Sequence, residues 1–290
     1  MTPAFDLQSH SIASDGALTP TAVVQAAHAA GIELLALTDH DSVAGVDEAI
    51  AAAAELPGIR VVSGLEVSAL DEDREDLHIC GYGVDHHHHA LTGALAAWRA
   101  DRAHRSLRMA KALRACGWAV DMTEIDRRAA ANRSIGRPHL ASAVFDHPDN
   151  AARLVAEGLE TSTDVLVAYL IPGTPAFLPR TTPTVAEAID VLHDAGGVAI
   201  WAHPFWDVDE PTRVLGMLDR FVALGLDGVE AYYATFDEAQ TRFLHDAAVE
   251  RDLLTTGSAD FHGPDHPNFR RFGAFSTHGL TPRLGPIAAP

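Results

Sequence analysis

Cysteine is nearly absent from this sequence, which contains only Cys80 and Cys116 among 290 residues. Two cysteines cannot form a framework of disulfides, and isolated cysteines in a reducing compartment are mostly small buried apolar residues. The sequence also lacks a run of about 18 apolar residues, and its start, MTPAFDLQSH, lacks the basic and apolar regions of a signal peptide. These absences predict a cytoplasmic protein without a membrane partner.

Basic residues are also scarce, because 21 Lys and Arg stand against 40 Asp and Glu, for a formal net charge of −19. Binding to duplex nucleic acid is carried largely by Lys and Arg that neutralise phosphates, so this composition excludes a protein that coats duplexes. A local basic pocket for short RNA stays open. The acidic residues and the 17 histidines instead favour the binding of cations.

The order of apolar runs predicts an α/β fold. The sequence is 47% hydrophobic, which is enough for one large domain with an insertion. Short strand patterns alternate with helical ones, which favours a parallel sheet flanked by helices, and about seven strands suit a barrel. The strand candidates are AFDLQSH, IELLALTDH, IRVVSGLEVS, DLHICGYGVD, VAIWAHP, LDGVEAYY and LLTTGSADFHG.

The sequence pattern changes near Leu91, where helical patterns replace the alternation of strands and helices. We therefore predict a barrel formed by residues 1–90 and 176–290, and a helical insertion over residues 91–175 that contributes to substrate binding. The final segment, HGLTPRLGPIAAP, is predicted to be a loose tail. The run HHHH at residues 86–89 is interpreted as a solvated loop, with adventitious metal binding as the alternative.

Residues able to bind metal recur where the predicted strands end. Carboxyl ends of parallel strands share one face of a barrel, so these side chains are expected to converge. Imidazoles and carboxylates without thiolates suit Mn, Fe or Zn. Asp15, in the SDG that follows the first strand, is ambiguous because Asp-Gly also marks turns. The strand-end residues are His10, His40, Glu66, His78, His203, Glu230, Asp260 and His262.

The motifs TDHD, GLEVS, LHICGYG, AHP and SADFHG occur in this order at the predicted strand ends. In residues 4–90 and 180–265 the sequence resembles the polymerase and histidinol phosphatase (PHP) family of metal-dependent phosphoesterases. That resemblance implies a distorted seven-unit TIM-like (β/α) barrel. It is strongest to small stand-alone members with a helical insertion, which act on 3',5'-nucleoside bisphosphates and in some cases on RNA 5' ends.

The resemblance also implies two or three divalent ions, Mn, Fe or Zn with Mg possible, and a metal-activated hydroxide that attacks phosphorus. The first ion is assigned to His10, Glu66 and Asp260, and the second to Asp15, His40 and His262. Glu66, His78 and His203 are assigned to a third. Asp260 and His203 are the expected catalytic residues, and His203 is alternatively a donor to phosphate or to the leaving group.

Gln8 departs from the family pattern, in which Asp-x-His-x-His stands where this sequence has Asp6-Leu7-Gln8-Ser9-His10. An amide oxygen is a neutral and poorer ligand than imidazole for Zn or Fe. The first site is therefore expected to hold its ion more weakly and to let Mn or Mg compete better.

Substrate selection is assigned to the insertion. The segment SIGRPHLA offers Arg137 and His139 at a helix start, and similar Arg-x-His segments occur in bisphosphate-type members, so these two residues are assigned to a remote phosphate. A salt-bridged helix start is the alternative. Arg102 is added from a stripe of arginines that is otherwise a solvated basic face. The stripe consists of Arg99, Arg102, Arg105 and Arg108.

The favoured function is hydrolysis of a phosphomonoester of a small nucleotide, with adenosine 3',5'-bisphosphate converted to AMP as the leading case. A histidinol-phosphate phosphatase and a 5'-3' exoribonuclease remain alternatives within the enzyme class. A non-catalytic nucleotide sensor is the alternative outside it. Four aromatics near strand ends are candidates to stack on a base or to pack beneath loops, namely Phe205, Trp206, Tyr232 and Tyr233.

Overall fold

The computed structural model describes residues 3–72, 74–130 and 135–289. Its contacts divide the chain into two compact units. The barrel unit comprises Met1–Leu95 and Pro183–Pro290, and the helical unit comprises Ala96–Thr182.

Seven strands form one sheet in sequential order within the barrel unit. The two ends of the sheet approach each other, because Leu7 N–H donates to Gly257 C=O at 3.1 Å and His10 N–H donates to Phe261 C=O at 2.8 Å. The sheet is thus nearly closed into a barrel, as the sequence predicts. The strands are β1 (Phe5–Asp6), β2 (Leu34–Leu37), β3 (Arg60–Asp71), β4 (Arg74–Tyr82), β5 (Val198–Trp201), β6 (Gly228–Tyr233) and β7 (Leu254–Ser258).

The fourth strand corrects the expectation of a parallel sheet, because β4 runs antiparallel to both β3 and β5. A chain can return directly as an antiparallel neighbour, whereas a parallel neighbour needs a crossover. Only the residues around Glu72 separate β3 from β4, which leaves no room for a crossover helix. The other neighbouring pairs are parallel.

Helices of the barrel unit begin and end at the signals that the sequence contains. Thr19 caps the first helix by accepting the N–H of Ala22 at 3.2 Å, Pro20 stands at its first turn, and Gly31 follows its end with φ +82°. The helices are α1 (Pro20–Ala29), α2 (Val46–Ala54), α8 (Val185–Asp194), α9 (Pro204–Asp207), α10 (Pro211–Ala223) and α11 (Glu238–Glu250).

The helical unit has an apolar core of its own, in which Leu113, Leu140, Val144 and Val165 are fully buried. Its long first helix starts in the barrel unit. The helices between α2 and α8 are α3 (His89–Ala115), α4 (Thr123–Ala130), α5 (Arg137–Phe145), α6 (Ala151–Glu157) and α7 (Ser162–Tyr169).

The C-terminal segment is not loose, and that prediction is wrong. Ile287 is 3% exposed and packs with Leu7, Tyr82 and Ile200. The preceding backbone is also held, because Thr255 N–H donates to Arg283 C=O at 3.0 Å. Apolar burial at the barrel therefore fixes a segment whose composition is typical of a tail. In the part of the chain that the structure describes, no helix is long and apolar enough to cross a bilayer.

Candidate metal centre

Side chains from all parts of the sheet converge at one end of the barrel. Most of them follow the ends of parallel strands, as predicted. Glu66 and His78 differ, because they lie inside β3 and β4. His78 reaches the same end since β4 runs in the opposite direction and places its early residues beside the end of β5, with Ile79 opposite Trp201.

Glu66 is the hub of the cluster. It is fully buried, and its Oε1 lies 2.8 Å from His78 Nδ1 and 3.2 Å from His203 Nε2. Its Oε2 lies 3.2 Å from His10 Nε2 and 3.3 Å from His40 Nδ1. One carboxylate therefore lies within 3.3 Å of imidazoles from four different parts of the chain.

Asp15 lies on the same face, which favours a functional interpretation of the SDG segment over a simple turn. Its carboxylate is 3.6 Å from His10 Nδ1, 3.6 Å from His40 Nε2 and 3.7 Å from His262 Nε2. His10, Asp15, His40 and His262 each offer a donor atom within 4.8 Å of the others, and His40, Glu66 and His78 form a second such group.

Asp260 completes the cluster beside His10, with its Oδ1 3.0 Å from His10 Nε2. The three ligand sets expected from the sequence are thus each brought together. Their assignment to individual ions stays a prediction.

Gln8 lies at this end of the barrel with 1% of its surface exposed. Neither its Nε2 nor its Oε1 has a hydrogen-bond partner among the described residues. Burying an amide without hydrogen-bond partners costs roughly 1–3 kcal/mol. This cost favours a bound ion or molecule next to Gln8, because no described residue satisfies the amide.

The same test supports metal at the neighbouring side chains. Among the predicted metal-binding residues, six more atoms are buried without a hydrogen-bond partner in the described part of the chain, although carboxylates and imidazoles face each other at short range. Donors that converge on shared points and leave each other unsatisfied fit divalent cations. The donors are nitrogen and carboxylate oxygen, which suits Mn, Fe or Zn. The atoms are Nδ1 and Nε2 of His10, Nδ1 of His40, Oε2 of Glu66, Nδ1 of His203 and Oδ1 of Asp260.

Electrostatics couple these groups. Burial alone raises the pKa of Glu66, but His40 and His78 outweigh it and hold that pKa well below its usual range. Burial lowers the pKa of His203, yet the carboxylate of Glu66 raises it to about 9. The cluster thus keeps Glu66 ionised, which is the form that binds a cation.

Three acidic residues and a tyrosine support the cluster. Glu230, a predicted strand-end residue, accepts the backbone N–H of His203 at 2.9 Å and the Ser258 hydroxyl at 2.6 Å. Tyr233, a candidate for stacking or for packing beneath loops, has a further role, because its hydroxyl donates to Asp260 Oδ2 at 2.7 Å.

Asp39 and Asp6 hold the segments next to the predicted ligands. Asp39 accepts the N–H of Ser11 and the hydroxyl of Ser14, both at 2.7 Å, and so holds the loop that carries Asp15. Asp6 accepts the N–H of Ala259 at 3.0 Å, next to Asp260. The Asp residues of TDHD and of the first strand were the available signals for these roles.

A cavity of about 150 Å³ lies over the cluster and is also lined by Trp206, Tyr233 and Phe269. Phe205, Tyr232 and Tyr233 are buried, and Phe205 and Tyr232 contact Phe243 and His245 of α11. Trp206 also lines this cavity and, at 51% exposed, is the one of the four candidate aromatics that is largely accessible to solvent.

Comparisons with known proteins identify the family of this chain. The PHP domain model matches residues 6–124. A 5'-3' exoribonuclease of Haemophilus influenzae is 34% identical over 266 residues, which cover 91% of this chain and 92% of that protein. The chain belongs to the PHP family.

Two further PHP relatives extend the likeness to substrate names and to the fold. A 3',5'-nucleoside bisphosphate phosphatase of Chromobacterium violaceum is 34% identical over 263 residues, covering 90% of this chain and 87% of that protein. A Bifidobacterium adolescentis crystal structure, provisionally named a metal-dependent phosphoesterase, matches with a TM-score of 0.71 and 30% identity over 92% of this chain and 91% of that chain. This PHP chain is accordingly a metal-dependent phosphoesterase, and its cluster contains groups of residues that could hold divalent ions.

The helical unit of this PHP chain contains the three predicted substrate residues, Arg102, Arg137 and His139. In the motif SIGRPHLA, Ser134 lies outside the described residues. Arg137 begins α5, and His139 Nδ1 accepts the N–H of Gly136 at 3.0 Å. His139 lines a cavity of about 490 Å³ that also contains Asp121 and Asp146. Those acidic residues do not favour a phosphate inside that cavity, and the role of Arg137 and His139 stays a prediction.

The arginine stripe is not a single solvated face, and that interpretation is wrong. Arg105 is 5% exposed, donates from Nε to Leu178 C=O at 2.6 Å and lies over Phe177. Steps of three residues advance about 300° around a helix, so Arg99 and Arg108 come to opposite sides. Arg102 is partly buried on α3, and its assignment to substrate stays a prediction.

Proposed function

We propose that this PHP chain hydrolyses a phosphomonoester of a small nucleotide, with a 3',5'-nucleoside bisphosphate as the leading substrate. The observation that carries the proposal is the exposed ring of Trp206 on the same cavity as Glu66, His78 and Asp260. An aromatic face beside ligands for divalent ions suits a substrate that combines a phosphate with a planar base. The name of the Chromobacterium violaceum relative supports this choice.

The cavity is too small to enclose a whole nucleotide, so we propose that one part of the substrate lies inside it and another part outside. At about 150 Å³ it is smaller than the range of roughly 300–1,000 Å³ typical of pockets that enclose a drug-sized ligand. The reacting phosphate is therefore placed inside, among the metal ligands. The nucleoside is placed outside, with its base against Trp206.

The residues that would hold the ions are the three sets built around Glu66 and Asp15. When bound, divalent ions supply Lewis-acid activation of water and neutralise charge on the phosphoryl oxygens. The chain positions these groups, with Asp260 fixed by Tyr233 and the His203 backbone fixed by Glu230. His203 either completes the third set or donates a proton to the phosphate or to the leaving group.

Arg137, His139 and Arg102 are proposed to bind the phosphate that does not react. A guanidinium forms bidentate hydrogen bonds with phosphate. In the neutral ring of His139, acceptance at Nδ1 leaves the proton on Nε2, which makes that nitrogen a donor.

A 5'-3' exoribonuclease is the second candidate. The Haemophilus influenzae relative with that name is as similar in identity as the phosphatase. Arg270 and Arg271 are exposed and directly follow Phe269, which lines the cavity, so these two arginines are the residues proposed to contact an RNA backbone. The net charge of −19 weighs against long RNA.

The test compares three substrates with protein loaded with Mn²⁺, namely adenosine 3',5'-bisphosphate, histidinol phosphate and a 5'-phosphorylated RNA oligonucleotide. We expect phosphate release to be fastest with the bisphosphate and to be lost in Asp260→Asn and His40→Ala. Preferred shortening of the oligonucleotide would support the exoribonuclease. Tight nucleotide binding without turnover across Mn, Fe, Zn and Mg would refute hydrolysis and indicate a sensor.

A further inference from the structure

The four consecutive histidines at residues 86–89 lie in a part of the barrel unit that contributes nothing to the centre around Glu66. The chain leaves β4 at Tyr82, turns, and enters α3 at His89. The first turn of α2 lies beside this turn and carries Asp47. Only two of the four histidines, His86 and His87, direct their rings at that carboxylate.

The two imidazoles lie close to the same oxygen of Asp47. His86 Nε2 lies 2.8 Å from Asp47 Oδ1, and His87 Nε2 lies 3.3 Å from it. The two rings are adjacent, with centroids 4.2 Å apart and ring planes tilted by 41°. Asp47, His86 and His87 together offer three donor atoms that all lie within 4.8 Å of one another.

The backbone holds this arrangement independently of the three side chains. Asp85 Oδ1 accepts the N–H of His87 at 3.0 Å, and the C=O of Asp85 accepts the N–H of His88 at 2.8 Å. Asp85 is itself fixed, because its N–H donates to Ala195 C=O at 2.8 Å. The turn thus presents His86 and His87 together, and His86 is not a solvated loop residue, since its side chain is only 15% exposed.

We propose that Asp47, His86 and His87 form a separate binding site for a late divalent transition metal, with Zn²⁺ as the leading ion. Two imidazoles and one carboxylate with open positions for water are a common donor set for zinc. Bonds of about 2.0–2.1 Å in a tetrahedron separate neighbouring ligand atoms by roughly 3.3 Å. The His87 to Asp47 distance already has this value, and the His86 ring needs to retreat by only about half an ångström.

An ion at this site would bridge α2 and the turn that precedes α3. The donors come from two segments that are 39 residues apart in sequence. A ligand that binds only the folded arrangement stabilises it, so zinc is expected to raise the thermal midpoint of the protein through this site. The effect is structural and is independent of phosphate hydrolysis.

The test counts zinc ions. The native protein, with its central ions loaded, is dialysed against buffered micromolar Zn²⁺, and zinc per chain is measured by elemental analysis. His87→Ala and Asp47→Asn are compared with His89→Ala, a matched control from the same exposed tract that lies outside the cluster. Exchange at the centre around Glu66 is common to all four proteins and cancels in the comparison.

We expect His87→Ala and Asp47→Asn each to bind one zinc fewer per chain than the native protein, and His89→Ala to bind the native number. The zinc-dependent rise in thermal midpoint should shrink in the same two variants. Equal zinc content in all four proteins would overturn the proposal. Equal loss in His89→Ala would also overturn it, because it would indicate unspecific binding by the whole tract. Circular dichroism of each variant verifies that it is folded.

Discussion

The backbone N–H of His203 donates to Glu230 Oε2 at 2.9 Å while His203 has the left-handed value φ +30°. A non-glycine residue in this region costs on the order of 1–3 kcal/mol, so its surroundings must hold it there. Glu230 is 1% exposed and is fixed in turn by the Ser258 hydroxyl. The pair therefore sets where the imidazole of His203 meets Glu66.

Replacing Glu230 by Ala should release the His203 backbone and lower kcat about 10- to 100-fold, as loss of supporting groups around metal ligands typically does. Glu230→Gln retains an acceptor oxygen for the N–H and should keep more of the activity. Steady-state phosphate release measures both. Native turnover in Glu230→Ala, or equal loss in the two variants, would show that this hydrogen bond does not position His203.

Much of the barrel follows from the periodicity of the sequence, and the reason is local. Caps such as Thr19 and buried apolar strands carry their signals within a few residues. The antiparallel direction of β4 does not, because strand patterns are identical in both directions. The short connection at Glu72, rather than any residue inside β4, contained that information.

The strand ends predicted which side chains meet in the cluster, among them His10, His40 and Asp260, and the family resemblance assigned Glu66 to two of the ions. The individual contacts could not be predicted, because they depend on the length of β3, which carries Glu66 beyond the end of β2. The tail was mispredicted for a related reason. Ile287 occurs among Gly, Pro and Ala, and only the barrel that receives it shows that it is core.

Ile287→Ala tests that burial. Removing most of a side chain that is 3% exposed should lower the free energy of unfolding by about 2 kcal/mol. Val249→Ala, at an exposed site on α11, is the matched control and should change it by less than about 0.5 kcal/mol. Urea unfolding compares the two, and similar small losses would contradict a core role for the C-terminal segment.

Asp6 should make the metal-free protein less stable as pH rises. Burial raises the pKa of Asp6 from 3.8 to about 7, despite hydrogen bonds from Gly273 and Ala259 that lower it. Between these pH values the folded state binds more protons than the unfolded one, so the stability of the folded state falls as pH increases through this window. The full effect is at most about 4 kcal/mol.

Asp6→Asn stays neutral and should lose this part of the pH dependence. Unfolding by urea at pH 5, 6 and 7.5, with metal removed by chelation, gives the slope for each protein. Parallel slopes for the native protein and Asp6→Asn would show that Asp6 titrates in the folded state as it does in the unfolded chain.

Gln8→His should tighten the first ion and shift its preference toward Zn or Fe. The amide of Gln8 is buried with both polar atoms unpaired, and an imidazole in its place is the stronger ligand for these metals. Competition against a chromophoric chelator measures the affinity for Zn²⁺ and Mn²⁺, with Gln8→Ala as the control that offers no donor. If Gln8→His and the native protein bind both ions equally, position 8 does not contribute a ligand.

Trp206→Ala should separate recognition of the base from chemistry at phosphorus. Stacking on an aromatic side chain contributes about 1–3 kcal/mol per base, so KM for adenosine 3',5'-bisphosphate should rise about 5- to 150-fold with little change in kcat. Trp206→Phe keeps a ring, so its KM should lie between those of the native protein and Trp206→Ala.

Ribose 3,5-bisphosphate has no base, and it should be hydrolysed equally by the native protein and Trp206→Ala. An equal loss on the substrate without a base would mean that Trp206 shapes the metal centre instead, since its ring packs against Tyr233 and Phe269. A selective loss on the nucleotide would tie the exposed ring to the base.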